Sequence, residues 1–253
     1  MSIMPVSDPS FGWQGAVVSF ALIAVSAFLV TWLVTDVARV RRTAYIGILT
    51  TVAVGLGAAY VAVSGTSVAD LATSRWIWGI VAGFLVAAIF TPGVQRLPGE
   101  PRLAGGAVAP LLVWEGVVYG IAEAVLLATL PVLAVWHAAA DLGWTDGVSG
   151  RLGSGALAIA GSSIVILVHH LGYREFRRSP RMLTMALVAC GAQALAFLLT
   201  GSVLAPVIAH IALHVQLVLR GNELPPASRG APREASPDDG LGTRSLVGAG
   251  MGS

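Results

Sequence analysis

Residues 109–136 read APLLVWEGVVYGIAEAVLLATLPVLAVW, and this stretch decides the fold. It carries only two charged residues, Glu115 and Glu123, and exceeds the ~20 apolar residues that a helix needs to cross a bilayer core of ~30 Å. Glu115, Tyr119 and Glu123 stand at successive i+4 steps, so they form one polar stripe on an otherwise apolar helix. Gly116 and Gly120 leave room for a neighbouring helix, the small-xxx-small device of membrane packing. Pro131 has no N–H to give its helix and is expected to kink or loosen the last third.

The rest of the chain has the same character. Of 253 residues, 56% are hydrophobic and 11% charged, and the mean hydropathy is +0.81. A water-soluble domain carries near 25% charged residues, so the sequence reads as an all-α polytopic membrane protein in a lipid bilayer. The 15 basic residues are all arginines, and the net charge is +2. Their confinement to short loops follows the positive-inside rule and argues against nucleic acid as a partner. With no lysine there is no Schiff-base chemistry. Cys190 is the one cysteine, which excludes an intrachain disulfide.

Seven transmembrane helices are expected: Ala16 to about Thr35, then roughly 43–64, 76–90, 109–136, 152–171, 182–200 and 202–219. Residues 1–13 lack the basic start of a signal peptide. Thr91-Pro92-Gly93 predicts a sharp stop for the third helix. The loops after helices one, three and five hold nine arginines, against two in the alternate loops. That bias places the N-terminus outside and the C-terminus in the cytoplasm, most simply of a bacterial plasma membrane. Residues 221–253 are rich in Pro, Gly and Ser with no apolar period, and read as a disordered cytoplasmic tail.

The polar residues inside these spans are the candidates for chemistry. An ionised carboxylate at mid-membrane costs at least ~2.5–3.5 kcal/mol, so Glu123 must be paired, wetted or neutral. Glu115, beside Trp114, suits the cytoplasmic interface. His169 and His170 end the fifth helix about 100° apart, so one at most faces a given site. His137 reads as an outer loop residue, and Gln193 as an interhelical hydrogen-bonding group. In the last helix His210 and His214 lie one turn apart on one face. There is no HExxH, P-loop, serine elbow or dinucleotide fingerprint.

A glutamate on one helix, a histidine late on the next, and a hairpin that enters Gly201-Ser202-x-x-x-Pro206-x-x-x-His210-x-x-x-His214 resemble the CPBP family of intramembrane proteases (the CAAX-prenyl protease and bacteriocin-processing, or Abi, family). The likeness covers about residues 109–219. It implies three N-terminal helices over 1–108 and a CPBP-like four-helix core over 109–220, acting on a membrane-protein or peptide substrate. The family's first motif, EExxxR, fits with either Glu115 or Glu123 as second glutamate, the arginine place falling on Tyr119 or Leu127. Neither frame supplies a cation beside its glutamate. The second, FxxxH, fits His170 with Ile166, or His169 with Val165; the third, HxxxN, fits His210 with His214 in the asparagine place. On this resemblance Glu115 or Glu123 is the base, His170 its water-orienting partner, and His210 with His214 the oxyanion donors.

Two other readings stand beside this hydrolase. His210, His214 and Glu123 suit a divalent metal such as zinc, because His-x-x-x-His presents two ligands on one helix face. In a non-catalytic scaffold or transporter-like protein the same groups would only fix helix packing.

Overall fold

The computed structural model describes residues 4–5, 7–96 and 108–221. The predicted tail, apart from Gly221, and the loop carrying Arg102 lie outside the described residues. Six helices are long and apolar enough to cross a membrane: α1 (Gly12–Val37), α2 (Arg42–Ser64), α4 (Trp76–Gln95), α5 (Val108–Asp141), α6 (Gly147–Leu171) and α8 (Pro180–Thr200). Between them lie two short helices, α3 (Val68–Thr73) and α7 (Arg174–Arg177). A seventh apolar helix, α9 (Leu204–Leu219), has 16 residues. No strand occurs among the described residues. The chain is an all-α polytopic membrane protein, and its elements follow the apolar runs of the sequence closely.

Helix α5 is the most buried of the spanning helices; α1, α2, α6, α8 and α9 pack against it, and α4 packs on α8 and α9. Its two glycines work as the spacing predicts. A Cβ on Gly120 would stand 2.8 Å from Ile211 Cα, and one on Gly116 would stand 2.9 Å from Val215 Cγ2, both on α9. The opposite face of α9 meets Gly79 and Gly83 of α4, where added Cβ atoms would lie 2.7 Å from Ser202 Cβ and 2.8 Å from Ile208 Cβ. Two Gly-x-x-x-Gly pairs thus clasp α9 from both sides, so backbone-close packing compensates for its short length. The tight hairpin into α9 turns at Gly201, whose φ of 68° is a conformation that glycine adopts without strain. Leu71 of α3 accepts the Val203 N–H at 3.0 Å, which ties the turn to the rest of the bundle.

Both prolines inside spans behave differently from a simple break. α4 runs through Pro92 to Gln95, where a stop was expected, and the Thr91 hydroxyl donates back to Ala87 O at 2.7 Å. In α5, widened i→i+5 turns occupy Leu112–Val118 and Ala124–Thr129, and the helix resumes its ordinary winding just before Pro131. The ring of Pro131 leaves the Leu127 carbonyl without its i+4 donor. Ser162 Oγ of α6 donates to that carbonyl at 2.7 Å, so a neighbouring helix supplies what the proline lacks.

The hairpin end of the bundle is sealed by the N-terminal segment. Asp8 N donates to Ser64 O at 2.7 Å and Trp13 N to Asp141 Oδ2 at 2.8 Å. His137, expected in a loop, sits inside α5 and is 1% exposed. Its Nε2–H donates to Pro5 O (3.2 Å), which leaves Nδ1 to accept from Tyr60 OH (2.7 Å). Phe11 packs edge-on against Tyr60 and is buried, while Trp13 stays half exposed at the surface.

Two substitutions test this packing. Gly120→Val drives a branched side chain into the Ile211 backbone and should cost about 1–3 kcal/mol, whereas Gly55→Ala meets open space and should shift stability by under about 1 kcal/mol. Thermal unfolding of the purified protein in detergent measures both. Ser162→Ala should cost about 1 kcal/mol in the wild type and clearly less in a Pro131→Ala background, where residue 131 regains its N–H.

Candidate functional site

Glu123, near the middle of α5, is 5% exposed and meets three imidazoles from two other helices. His169 Nε2 of α6 lies 3.1 Å from Oε1. His214 Nε2 and His210 Nε2 of α9 lie 2.7 and 3.4 Å from Oε2. The i, i+4 spacing puts the two α9 rings in a near-parallel stack, 5.5 Å between centroids and 21° between planes. The Glu123, His210 and His214 ligand atoms all fall within 4.8 Å of one another, close enough for the three to hold one metal ion.

Groups behind the cluster fix each ring. Thr31 Oγ1 of α1 donates to Ala27 O at 2.9 Å, so its lone pairs face His169 Nδ1, 2.9 Å away. His169 Nδ1 also lies 3.3 Å from the Ala27 carbonyl, which can only accept. The His169 proton therefore sits on Nδ1. His210 Nδ1 is likewise bonded to Gln193 Oε1 of α8, an acceptor. In their neutral forms both rings then turn bare Nε2 lone pairs towards Glu123. Lone pairs facing carboxylate oxygens repel, and a cation or added protons between them reverses the sign. The interhelical role expected of Gln193 is thus to orient His210.

A chain of hydroxyls continues from Thr31 to Tyr45 (3.3 Å), Tyr173 (2.6 Å) and Tyr119 (2.9 Å). Tyr119 also packs its ring edge-on against His214, 4.5 Å between centroids. On its other side the Arg42 guanidinium lies 5.3 Å from the ring centroid. Arg42 Nε donates to Glu115 Oε2 at 2.8 Å. This corrects two expectations: Glu115 is 3% exposed, packed inside the bundle without snorkelling out of it, and it has a cation, supplied by the first residue of α2. None of Arg42, Thr31, Tyr45 and Tyr173 is marked by a motif. Tyr45 and Tyr173 were legible only as polar-tipped aromatics near the ends of apolar runs.

The stripe on α5 therefore divides. Glu123 joins His169, His210 and His214, while Glu115 is held apart by Arg42. His170, the residue placed beside the base on the family resemblance, turns away: its Nδ1 lies 2.8 Å from Ile166 O of its own helix. His169 touches Glu123 instead. The cluster opens into a cavity of about 500 Å³ between α4, α8 and α9, walled by Glu123, His170, His210 and His214 and otherwise by apolar side chains.

Compared with known proteins, the chain matches no family model, no curated protein and no solved structure at a significant level.

The Arg42–Glu115 pair carries a direct test. Arg42→Met strands a buried carboxylate and should destabilise by about 3–5 kcal/mol, and Arg42→Met with Glu115→Leu should recover most of that loss. Unfolding midpoints of the two variants in detergent decide it; equal losses would mean that the pair is not mutually compensated.

Proposed function

We propose that this integral membrane protein is a metal-dependent hydrolase with its active centre at Glu123, His210 and His214 inside the bilayer. The observation that carries the reading is the convergence of three imidazole nitrogens, within 3.4 Å, on one buried carboxylate. Two imidazoles and a carboxylate are a ligand set suited to zinc, with a position left for water or substrate. Such a bound cation supplies Lewis acidity and a water that ionises near neutral pH. His169, with Nδ1 tied to Thr31 and Ala27, is placed to accept a proton at Nε2, and those two oxygens would then stabilise the imidazolium. Glu115 and Arg42 hold α5 against α2 and take no part in the reaction.

The resemblance to the CPBP intramembrane proteases supports the same residues in different roles. In that metal-independent reading Glu123 activates water, His169 orients it, and His210 and His214 stabilise the oxyanion. The substrate is a membrane-protein or peptide chain in both. The arginine bias supports an N-terminus outside and the arginine-bearing end of the bundle, where α2 and α5 begin, on the cytoplasmic side, a bacterial plasma membrane being the simplest setting.

Elemental analysis separates these readings. The purified wild type should retain about one zinc-class ion per chain, and His210→Ala with His214→Ala should lose it. Equal metal content in both would reject the metal centre. Membrane proteomes from cells with wild type and Glu123→Gln should then differ in cleavage products; identical products would leave only the non-enzymatic readings.

A further inference from the structure

Gln193 of α8 is 0% exposed, and its carboxamide is only half used. Oε1 accepts the His210 Nδ1–H, whereas Nε2, which can only donate, is a buried atom with no hydrogen-bond partner. The orientation of the amide follows from the metal centre: a His210 that binds a cation through Nε2 keeps its proton on Nδ1, so the atom facing Nδ1 must be the oxygen. Gln193 lines the cavity beside Glu123, His210 and His214, and among the described residues no other buried side-chain nitrogen or oxygen on that wall lacks a partner. An unpaired buried donor gains from any acceptor that reaches it, because it has no existing partner to give up.

The surroundings narrow what that acceptor is. Phe90 and Val94 of α4, Met182 and Met185 of α8 and Leu213 of α9 give the cavity hydrocarbon and thioether walls. Its rim includes Ile89 and Val188, 62% and 56% exposed on the outer faces of α4 and α8, where spanning helices meet lipid. A peptide that reaches the metal ligands from the lipid side travels as a helix, with its carbonyls bonded to its own N–H groups. The backbone of a helix is covered by its own side chains, so cleavage needs a stretch drawn out of the helix. Every carbonyl freed in an apolar cleft then loses its partner. One N–H donor held beside the metal ligands replaces one such lost bond.

We infer that Gln193 is a substrate-binding residue: its Nε2–H donates to one backbone carbonyl oxygen of an unwound peptide segment held in the α4–α8 cleft, near the bond that is cleaved. The inference rests on the metal-dependent hydrolase reading above and names what holds its peptide substrate in place. One carboxamide then serves both sides of the site, Oε1 fixing a metal ligand and Nε2 fixing the chain. The apolar side chains of the segment lie against Phe90, Met182 and Met185.

The test uses N-acetyl-Leu-Leu-Leu-Leu-amide and a series of analogues in which each Leu–Leu peptide bond in turn is replaced by an (E)-alkene, which keeps the shape of the chain and removes one carbonyl. In nanodiscs supplied with zinc, on ice, each peptide would compete with a photo-leucine version of the parent, irradiated directly after mixing, and crosslinked residues are read by mass spectrometry. The expected result is labelling of Phe90, Met182 and Met185, with one alkene position that competes roughly 10-fold worse than the parent in wild type and within about 2-fold of it in Gln193→Met. The N–H that an alkene also removes is lost equally against both proteins and cancels in that comparison. A Gln193 that only orients His210 would instead lower zinc content and weaken every peptide alike. Equal competition by all the analogues in wild type, as when water alone satisfies the amide, overturns the inference without any variant, and so does an undiminished loss at that position in Gln193→Met. Zinc content of the same samples separates the outcomes: zinc retained without dependence on a carbonyl rejects this inference alone, dependence on Gln193 and one carbonyl without zinc rejects only the metal centre, and the absence of both rejects both.

Discussion

A carboxylate at mid-membrane has no bulk water to solvate it, and the bundle is arranged around satisfying the one on Glu123. Two helices contribute to that task directly: α6 with His169, and α9 with two rings set one turn apart. The others act one step back, α1 through Thr31 and α8 through Gln193. No single pairing would suffice, because a bare imidazole lone pair does not solvate an anion. The fold instead brings several titratable nitrogens to one point, and the net stability of that point depends on positive charge arriving there as protons or as a metal.

Such convergence requires helix axes to come unusually close, and the glycines permit it. α9 carries two of the three imidazoles yet is too short to be held by length alone. Gly79 and Gly83 on one side and Gly116 and Gly120 on the other let neighbouring backbones approach until its side chains reach the α5 stripe. The widened turns on either side of Tyr119–Glu123 act along the same helix, shifting the faces it presents before and after the site. Wide turns of this kind recur at functional sites because they re-aim side chains without breaking the helix. Pro131 follows one of them, and Ser162 completes the hydrogen bonding it disturbs.

How much of this the sequence displayed depends on the range of the interaction. Apolar run length placed every spanning helix, since that signal is local and strong. The Gly116/Gly120 approach was also readable, and Gly79/Gly83 carried the same pattern unrecognised. Pro92 was misjudged as a stop because its helix is stabilised by packing against α9 and α8 as well as by its own propensity. The choice of His169 over His170 could not be made locally: adjacent residues differ by about 100°, and only the docked rotation of α6 selects one. Arg42, 73 positions from Glu115, and Thr31, 138 positions from His169, lie beyond any spacing rule.

The two glutamates of α5 show why partner chemistry, more than burial, marks the site. Both are almost wholly buried, eight residues apart on one stripe. Glu115 faces a guanidinium, which keeps its charge at every accessible pH, offers no lone pair, and cannot bind a metal. That pairing fixes α2 against α5 and holds Glu115 apart from the imidazoles. Glu123 faces imidazoles, each able to gain a proton, lose one, or coordinate. The surroundings of Glu123 can therefore change state while the helices stay in place. The hydrolase proposed above would need that combination, with the Arg42–Glu115 pair eight residues away holding the helix in place.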